Sequence, residues 1–134
     1  MDNETKQYKL DPQIKAQWVA ALRSGEYKQG YGKLHTINTN EFCCLGVLCE
    51  LHPDKVVKVA STTEKQHTLY AVNPYSVAFS ARLPDEFARM LGITSLGELN
   101  TPLYINGACM DQLTALNDDR FTFEEIADII EEQF

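Results

Sequence analysis

The first strong pattern in the chain is a set of apolar residues at helical spacing shortly after its start. Asp11 and Pro12 precede this set. An aspartate carboxylate can accept hydrogen bonds from the free N–H groups at a helix start, and proline suits the first helical position. Gly25 follows the set and can adopt the left-handed conformation that ends many helices. The pattern therefore predicts a first helix with an apolar face formed by Ile14, Trp18, Ala21 and Leu22.

A second amphipathic pattern lies at the end of the chain. Thr122 and Glu125 have the spacing of a capping box, in which each side chain bonds to the backbone N–H of the other residue. The residues that follow divide into one apolar face and one charged face. The pattern predicts a final helix whose acids face water, namely Glu124, Glu125, Asp128, Glu131 and Glu132.

Residues 42–51 are apolar almost throughout, which predicts the most buried element of the fold. We expect a helix that is capped by Asn40 and that ends before Pro53. A run this short is also compatible with a buried strand, because periodicity alone does not separate the two.

Turn-forming residues separate several short segments with the composition of strands. Residues 56–59 and 67–72 predict a hairpin across a polar stretch, and residues 33–37 predict a further strand after a glycine-containing turn. Asn106 and Gly107 lie between two more such segments. This pair favours a type I′ turn, since both central positions of that turn have positive φ.

One more helical pattern begins at Pro84 and ends at Gly92. Helices and strands do not alternate regularly along the chain, so the rhythm of a parallel sheet is missing. The sequence predicts an α+β fold in which a small antiparallel sheet and hairpins pack against three to four helices. We expect a single domain over residues 1–134, with a flexible stretch at residues 1–9.

The composition is that of an ordinary globular domain, with 44% hydrophobic and 23% charged residues among 134. No apolar run approaches the ~20 residues that a membrane-spanning helix needs. The first residues are polar and lack the pattern of a signal peptide. We therefore expect a cytoplasmic protein with no membrane partner.

Negative charge is concentrated at the C-terminal end of the chain. The net charge is −7, and residues 111–134 contain eight acids and one base, whereas residues 1–110 contain eleven of each. An acidic face disfavours direct binding to nucleic acids. It also suggests an alternative function, in which the final helix mimics nucleic-acid phosphates and inhibits an enzyme that binds them.

The four cysteines match neither a secreted disulfide framework nor the ligand spacing of a zinc site, so we expect no metal and no cofactor. Reduced, buried thiols are the simpler expectation. An alternative is a cysteine-dependent hydrolase that uses Cys43 with His67. Cys43 would lie in the first turn of the central helix, whose dipole lowers a thiol pKa, and Asn73 would orient the histidine.

Cations, aromatic rings and glycines cluster around the turn that follows the first helix. Such a combination can hold a small anionic ligand, although an ordinary solvated hairpin would have the same composition. The candidate ligand-binding residues are Arg23, Tyr27, Gln29 and Lys33 around the glycine turn, with Asn117 and Asp118 before the final helix. The last two are equally typical of a helix-ending turn.

Several segments of the chain resemble a group of small, mostly uncharacterised proteins encoded by tailed bacteriophages and prophages. The segments are residues 18–30, residues 42–49 with the run CCLGVLC, residues 116–118 and residues 123–131. The resemblance implies a phage accessory protein that acts on host machinery, such as antiphage defence, in the cytoplasm of an infected bacterium. It implies no catalytic residues.

These observations favour a non-enzymatic protein that binds a host protein or sequesters a small nucleotide-like ligand. The cysteine hydrolase and the acidic mimic are the two alternatives. Assembly of identical copies is compatible with the sequence as well.

Overall fold

Five helices and three small β-sheets make up the part of the chain that the computed structural model describes, residues 7–61 and 63–134. They pack around one core, which confirms the predicted α+β class. The helices are α1 (Pro12–Arg23), α2 (Cys44–Glu50), α3 (Asp85–Leu91), α4 (Leu113–Asp118) and α5 (Phe123–Gln133). The strands are β1 (Lys28–Gln29), β2 (His35–Thr36), β3 (Glu41–Phe42), β4 (Val57–Val59), β5 (Leu69–Ala71), β6 (Glu98–Ile105) and β7 (Ala108–Gln112).

The first and last helices form as predicted and pack against each other. Asp11 Oδ1 accepts a hydrogen bond of 2.9 Å from the Gln13 N–H, so the predicted cap of α1 is confirmed. In α5 the Thr122 hydroxyl accepts from the Glu125 N–H at 3.1 Å, and the Glu125 carboxylate accepts from the Thr122 N–H at 2.9 Å. The capping box is therefore complete.

The central helix α2 is buried as predicted, but the prediction that Asn40 caps it is wrong. Cys43 is the N-cap residue, and Asn40 lies in a turn with φ of +53°. The reason is strand pairing: residues 41–42 form β3 and bond to two other strands, so they cannot belong to a helix. The helix consequently begins at Cys44, after the start of the apolar run at Phe42.

Strand β3 lies between β1, which is parallel to it, and β2, which is antiparallel. The predicted strand at residues 33–37 is reduced to β2, and β1 lies in the glycine-containing stretch that was predicted to be a turn. Helix α2 crosses this sheet closely at Gly46. A Cβ atom on Gly46 would lie 1.8 Å from the carbonyl oxygen of Leu34, so only glycine fits there.

Both predicted hairpins are confirmed. Strands β4 and β5 pair antiparallel, as do β6 and β7. Asn106 and Gly107, between β6 and β7, have φ of +52° and +83°, the left-handed values that a type I′ turn requires. These hairpins are separate two-stranded sheets that accompany the three-stranded sheet of β1, β3 and β2.

Helix α3 begins after Pro84, which is its N-cap residue, and ends at Gly92 with φ of +92°. Helix α4 was not predicted, because its six residues are too few to show a helical period. Asn117 and Asp118 are the last residues of α4, in agreement with the predicted helix-ending turn.

The core surrounds α2. Trp18, Tyr70 and Phe87 are its largest fully buried side chains, and the Trp18 indole N–H donates to the Cys44 carbonyl at 3.0 Å. This bond satisfies a polar group that would be costly to bury alone. Across the described residues, no helix has both the length and the apolar character needed to span a bilayer.

A flexible stretch was predicted at residues 1–9, of which positions 1–6 lie outside the described residues. Tyr8 and Asn100 are joined by two hydrogen bonds: the Tyr8 N–H donates to the Asn100 side chain at 2.6 Å, and the Asn100 side chain donates to the Tyr8 carbonyl at 2.8 Å. The Lys9 N–H donates to the Gly92 carbonyl at 3.2 Å. These bonds attach the chain to β6 and to the end of α3.

Candidate functional site

The structure brings two predicted ligand-binding residues, Gln29 and Asn117, into direct contact. Gln29 Nε2 donates to Asn117 Oδ1 at 3.0 Å and to the Phe121 carbonyl at 2.7 Å. Gln29 Oε1 accepts from the Phe123 N–H at 3.2 Å. Gln29 therefore links the glycine turn to the connection between α4 and α5.

Asn117 makes the complementary bonds from the other side. Its Nδ2 donates to the Gly30 carbonyl at 2.8 Å, and its Oδ1 also accepts from the Cys44 N–H at 3.2 Å. The residue is fully buried. Cys44 is the first residue of α2 and the Cys43 side chain forms no cap, so the Cys44 N–H has no partner within the helix. The amide of Asn117 thus supplies what a capping side chain would supply.

Asp118 also contacts the glycine turn. Its Oδ1 accepts a hydrogen bond of 2.8 Å from the Gly32 N–H. Beside it, the Arg120 guanidinium lies 4.1 Å from the centre of the Tyr31 ring. Gln29, Asn117 and Asp118, three of the six candidate ligand-binding residues, therefore lie together at the glycine turn, and their polar groups bond to the protein itself.

Arg23 is directed away from the glycine turn and towards α5. Its Nε lies 3.2 Å from Glu124 Oε2, its Nη2 lies 2.9 Å from Glu131 Oε1, and the Asp128 carboxylate accepts from the same Nη2. The hydrogen bonds that Arg23 donates to Glu131 and Asp128 raise its pKa above the ordinary value. One cation therefore offsets part of the acidic face that the nucleic-acid-mimic alternative depends on.

Tyr27 and Lys33 are separate from each other and from Arg23. The Tyr27 ring packs edge-on against Phe42, with 5.4 Å between the ring centres. Burial raises the pKa of Tyr27, and the charge of Glu50 adds to this shift. Lys33 Nζ donates to the Ser80 hydroxyl at 3.4 Å. The six predicted ligand-binding residues thus bond to the protein at several places and do not line one shared cavity.

The cysteine alternative meets a different environment from the one that the sequence predicted. Cys43 is buried, and this burial raises the pKa of its thiol to about 11, the reverse of the predicted lowering. The low polarity around the sulfur disfavours the thiolate more strongly than nearby backbone N–H groups stabilise it. Burial also raises the pKa values of Cys44 and Cys49.

His67 has partners of its own. Its Nδ1 lies 3.2 Å from Glu64 Oε2, and its backbone forms a bridge with Thr36. Within the described residues no hydrogen bond joins Cys43 to His67. Asn73, the predicted orienting residue, accepts instead from the Tyr75 N–H at 2.8 Å and shapes the turn after β5.

Residues 7–61 and 63–134 contain no group of three or more histidine, cysteine, aspartate or glutamate side chains placed to hold a metal ion.

Sequence reasoning missed the loop at residues 73–80, which carries the most exposed large hydrophobic residue in the described part of the chain. We call it the Tyr75 loop. The side chains of Tyr75 and Val77 are 97% and 72% exposed. The loop is ordered by the Asn73 turn and by two backbone hydrogen bonds of 2.9 Å between Tyr70 and Phe79. Sequence showed a turn at Asn73 but not the direction of the side chains that follow it.

A cavity of about 280 Å³ lies between the Tyr75 loop and the start of α3. Val77, Phe79 and Pro84 supply apolar walls. The Arg82 guanidinium lies 4.6 Å from the centre of the Phe79 ring and is exposed. No carboxylate of the described residues lies within ion-pair distance of Arg82. Asp85, Glu86 and Arg89 also line the cavity, so the surface combines exposed apolar groups, a recess and charged groups of both signs.

A family model described as a domain of unknown function, DUF8296, matches residues 10–134 of the chain. This match includes all five helices and all seven strands. Neither a curated protein nor a solved structure matches the chain.

Proposed function

The chain belongs to the DUF8296 family, and we propose that it acts without catalysis, by binding another protein through the Tyr75 loop. The observation that carries this proposal is the exposure of Tyr75, which is 97% accessible on a loop that internal hydrogen bonds already hold in one shape. Contact between water and the apolar part of such a side chain is unfavourable in free energy. Burial of the side chain against a partner removes this contact.

Tyrosine and arginine are the residue types that contribute most often to the energy of protein interfaces. Tyr75 and Arg82 both belong to this surface, and both are exposed. The hydrogen bonds at the Asn73 turn and between Tyr70 and Phe79 restrict the loop, so association would cost less conformational entropy than the ordering of an unrestrained segment. The surface is therefore suited to an interface formed largely from preformed groups.

The cavity beside the loop indicates the chemistry of the partner. Its apolar walls, Val77 and Phe79, suit an apolar side chain of the other protein. The edge of the cavity is mixed in charge, because Asp85, Glu86 and Arg89 also line it and the exposed Arg82 lies against the Phe79 ring. We expect the partner to present an apolar side chain flanked by polar groups.

The resemblance to phage and prophage proteins supports a partner from the bacterial host, in the cytoplasm of the infected cell. Of the two modes of action that the sequence favours, protein binding has the better support. The residues predicted to hold a small anionic ligand, such as Gln29 and Asn117, already bond to one another. A ligand there would have to replace hydrogen bonds that the fold itself uses.

Site-specific photo-crosslinking tests this function. A benzoylphenylalanine side chain is placed at Tyr75, and a matched one at Tyr104, which is 75% exposed on β6. Both proteins are produced in bacteria and irradiated, and the adducts are identified by mass spectrometry. We expect one defined host protein to be crosslinked from position 75 and not from position 104.

The interaction is then measured with the two purified proteins. We expect Tyr75→Ala and Val77→Ser each to weaken binding by about tenfold or more, as a loss of 1.4 kcal/mol or more implies, and Tyr104→Ala to leave it unchanged. Equal crosslinking from positions 75 and 104, or binding unaffected by the loop substitutions, would show that the Tyr75 loop is not the interface.

A further inference from the structure

A second cavity, of about 300 Å³, lies between the C-terminal end of α2 and the hairpin of β4 and β5. We call it the Glu50 cavity. Pro53 and Val57 provide apolar walls, and Glu50, Lys58 and Tyr70 provide polar groups. Its volume lies at the lower end of the range of small-molecule sites, which are mostly apolar with a few convergent polar groups. The arrangement therefore has the general form of a binding site for a small molecule.

The polar groups of the Glu50 cavity are held in a fixed arrangement. Glu50 Oε2 accepts a hydrogen bond of 2.8 Å from the Tyr70 hydroxyl and lies 3.1 Å from Lys58 Nζ. Burial, together with the bond to Glu50, raises the pKa of Tyr70 well above its usual range. The tyrosine consequently remains a hydrogen-bond donor at any physiological pH, and the carboxylate keeps its orientation.

Each member of the Glu50–Lys58 ion pair retains bonding capacity. Both partners of Glu50 bind the same oxygen, Oε2, and no donor among the described residues bonds to Oε1. Lys58 has three N–H groups, of which Glu50 uses one, and its side chain is largely exposed. The cavity therefore presents an oriented acceptor and a donor side by side.

From this arrangement we infer that the Glu50 cavity binds a small uncharged molecule with an amide-type edge, in which an N–H group adjoins a carbonyl. The N–H donates to Glu50 Oε1, the carbonyl accepts from Lys58 Nζ, and the apolar part of the molecule rests on Pro53 and Val57. Lactams and nucleobases such as uracil have such an edge.

The charges of the cavity explain why the ligand is uncharged. An anion is repelled by Glu50, a simple cation is repelled by Lys58, and the two charges nearly cancel for a neutral molecule. A neutral ligand also loses less hydration when it enters a partly buried site. The residues that line this cavity lie outside the Tyr75 loop, so the inference does not rest on the protein-binding function proposed above.

A matched pair of probes tests the inference. Uracil offers N–H groups next to carbonyls, whereas 1,3-dimethyluracil has the same ring and carbonyls but no N–H. Binding is followed by chemical-shift changes of the backbone amides of the isotope-labelled protein. We expect uracil to shift the amides of Val57, Lys58 and Tyr70, and 1,3-dimethyluracil to bind at least about tenfold more weakly, since Glu50 Oε1 would have no donor.

Substitutions at Lys58 and Val57 test whether the chemical-shift changes arise from binding in the Glu50 cavity. Lys58→Met should weaken uracil binding, while Lys55→Met, which removes a nearby surface lysine paired with Asp54, should not. Val57→Phe should fill the cavity and abolish binding, with the unchanged shifts of α5 showing that the variant is folded. Equal binding of both probes, shifts outside the cavity, or no binding of uracil up to its solubility limit would overturn the inference. Tyr75→Ala should leave uracil binding unchanged, so failure here is distinguishable from failure of the proposed protein interface.

Discussion

Gln29 donates a hydrogen bond of 3.0 Å to Asn117, although 88 positions separate the two residues along the chain. This bond and the other hydrogen bonds of the Gln29 and Asn117 side chains join the glycine turn to α4, to the start of α5 and to the start of α2. The pair lies where four elements meet, and its amides satisfy backbone groups that no regular secondary structure satisfies. We therefore regard these polar residues as organisers of the fold.

Replacing Asn117 should destabilise the protein strongly. Asn117→Ala leaves the Gly30 carbonyl and the Cys44 N–H without their partner in a buried position. Each such orphaned group costs about 1–3 kcal/mol, so we expect a loss of about 2–6 kcal/mol in the free energy of unfolding. Urea unfolding followed by circular dichroism measures this loss. Asn38→Ala, at an exposed turn position, is the control and should change the value by less than about 0.5 kcal/mol.

Local signals along the sequence were sufficient to predict α1, α5 and both hairpins. Asp11, Thr122 and the Asn106-Gly107 pair act on neighbouring residues, so their effect can be recognised without knowledge of the fold. The start of α2 was predicted wrongly because strand β3 is formed by pairing with two other strands. Such pairing depends on contacts between distant residues, which a local pattern does not contain.

The candidate site illustrates the same distinction. The sequence analysis named Gln29 at the glycine turn and Asn117 and Asp118 before the final helix among six candidates, and the structure brings these three residues together. It could not show that their polar groups bond to each other and to the backbone, because that depends on geometry. The exposure of Tyr75 could not be predicted from the sequence either, since a tyrosine that follows a turn is buried in some folds and exposed in others.

Gly46→Ala tests the close contact between α2 and the strand region at Leu34. In an isolated helix this substitution would stabilise by about 1 kcal/mol, because alanine has the higher helix propensity. Here the added Cβ would lie 1.8 Å from the Leu34 carbonyl oxygen, so the helix must move. We expect Gly46→Ala to lower the free energy of unfolding by about 3 kcal/mol or more, so the substitution destabilises the protein although it would stabilise an isolated helix. A thermal melt that shows equal or higher stability would contradict the described packing.

Arg23 should stabilise the packing of α1 on α5 by an electrostatic effect that depends on salt. Arg23→Gln leaves Glu124, Asp128 and Glu131 to repel one another without the cation that joins them. We expect a lower unfolding midpoint in low salt and a smaller difference from the wild type in high salt, because salt screens exposed charges. Lys15→Gln, a change of the same charge at a site without an ion pair in the described residues, is the control.

The cysteines should react in an order set by their exposure. Cys109 is exposed on β7, whereas Cys43, Cys44 and Cys49 are buried in the folded protein. With iodoacetamide near neutral pH, we expect one rapid modification, and we expect it to disappear in Cys109→Ser. Mass spectrometry of the intact protein counts the modifications. Rapid and selective labelling of Cys43 would instead support the cysteine hydrolase alternative.

Alkaline pH should destabilise the protein through its buried thiols. Burial raises the pKa of Cys43 from an ordinary value of 9.0 to about 11, so the folded protein retains a proton that the unfolded chain releases. The contribution of this thiol to stability is therefore fully present below pH 9 and is lost as the pH rises towards 11. The shifts of Cys44 and Cys49 have the same direction and add to this effect.

We expect the urea midpoint to fall across this interval, and to fall less steeply in Cys43→Ala, which has no thiol to ionise at that position. The alanine variant also leaves a small space, so its stability at pH 7 should be lower than that of the wild type, and only the slope against pH is compared. Cys109→Ser is the matched control, because an exposed thiol has nearly the same environment in the folded and unfolded chain. An equal slope in wild type and Cys43→Ala would mean that Cys43 titrates normally and is accessible to solvent.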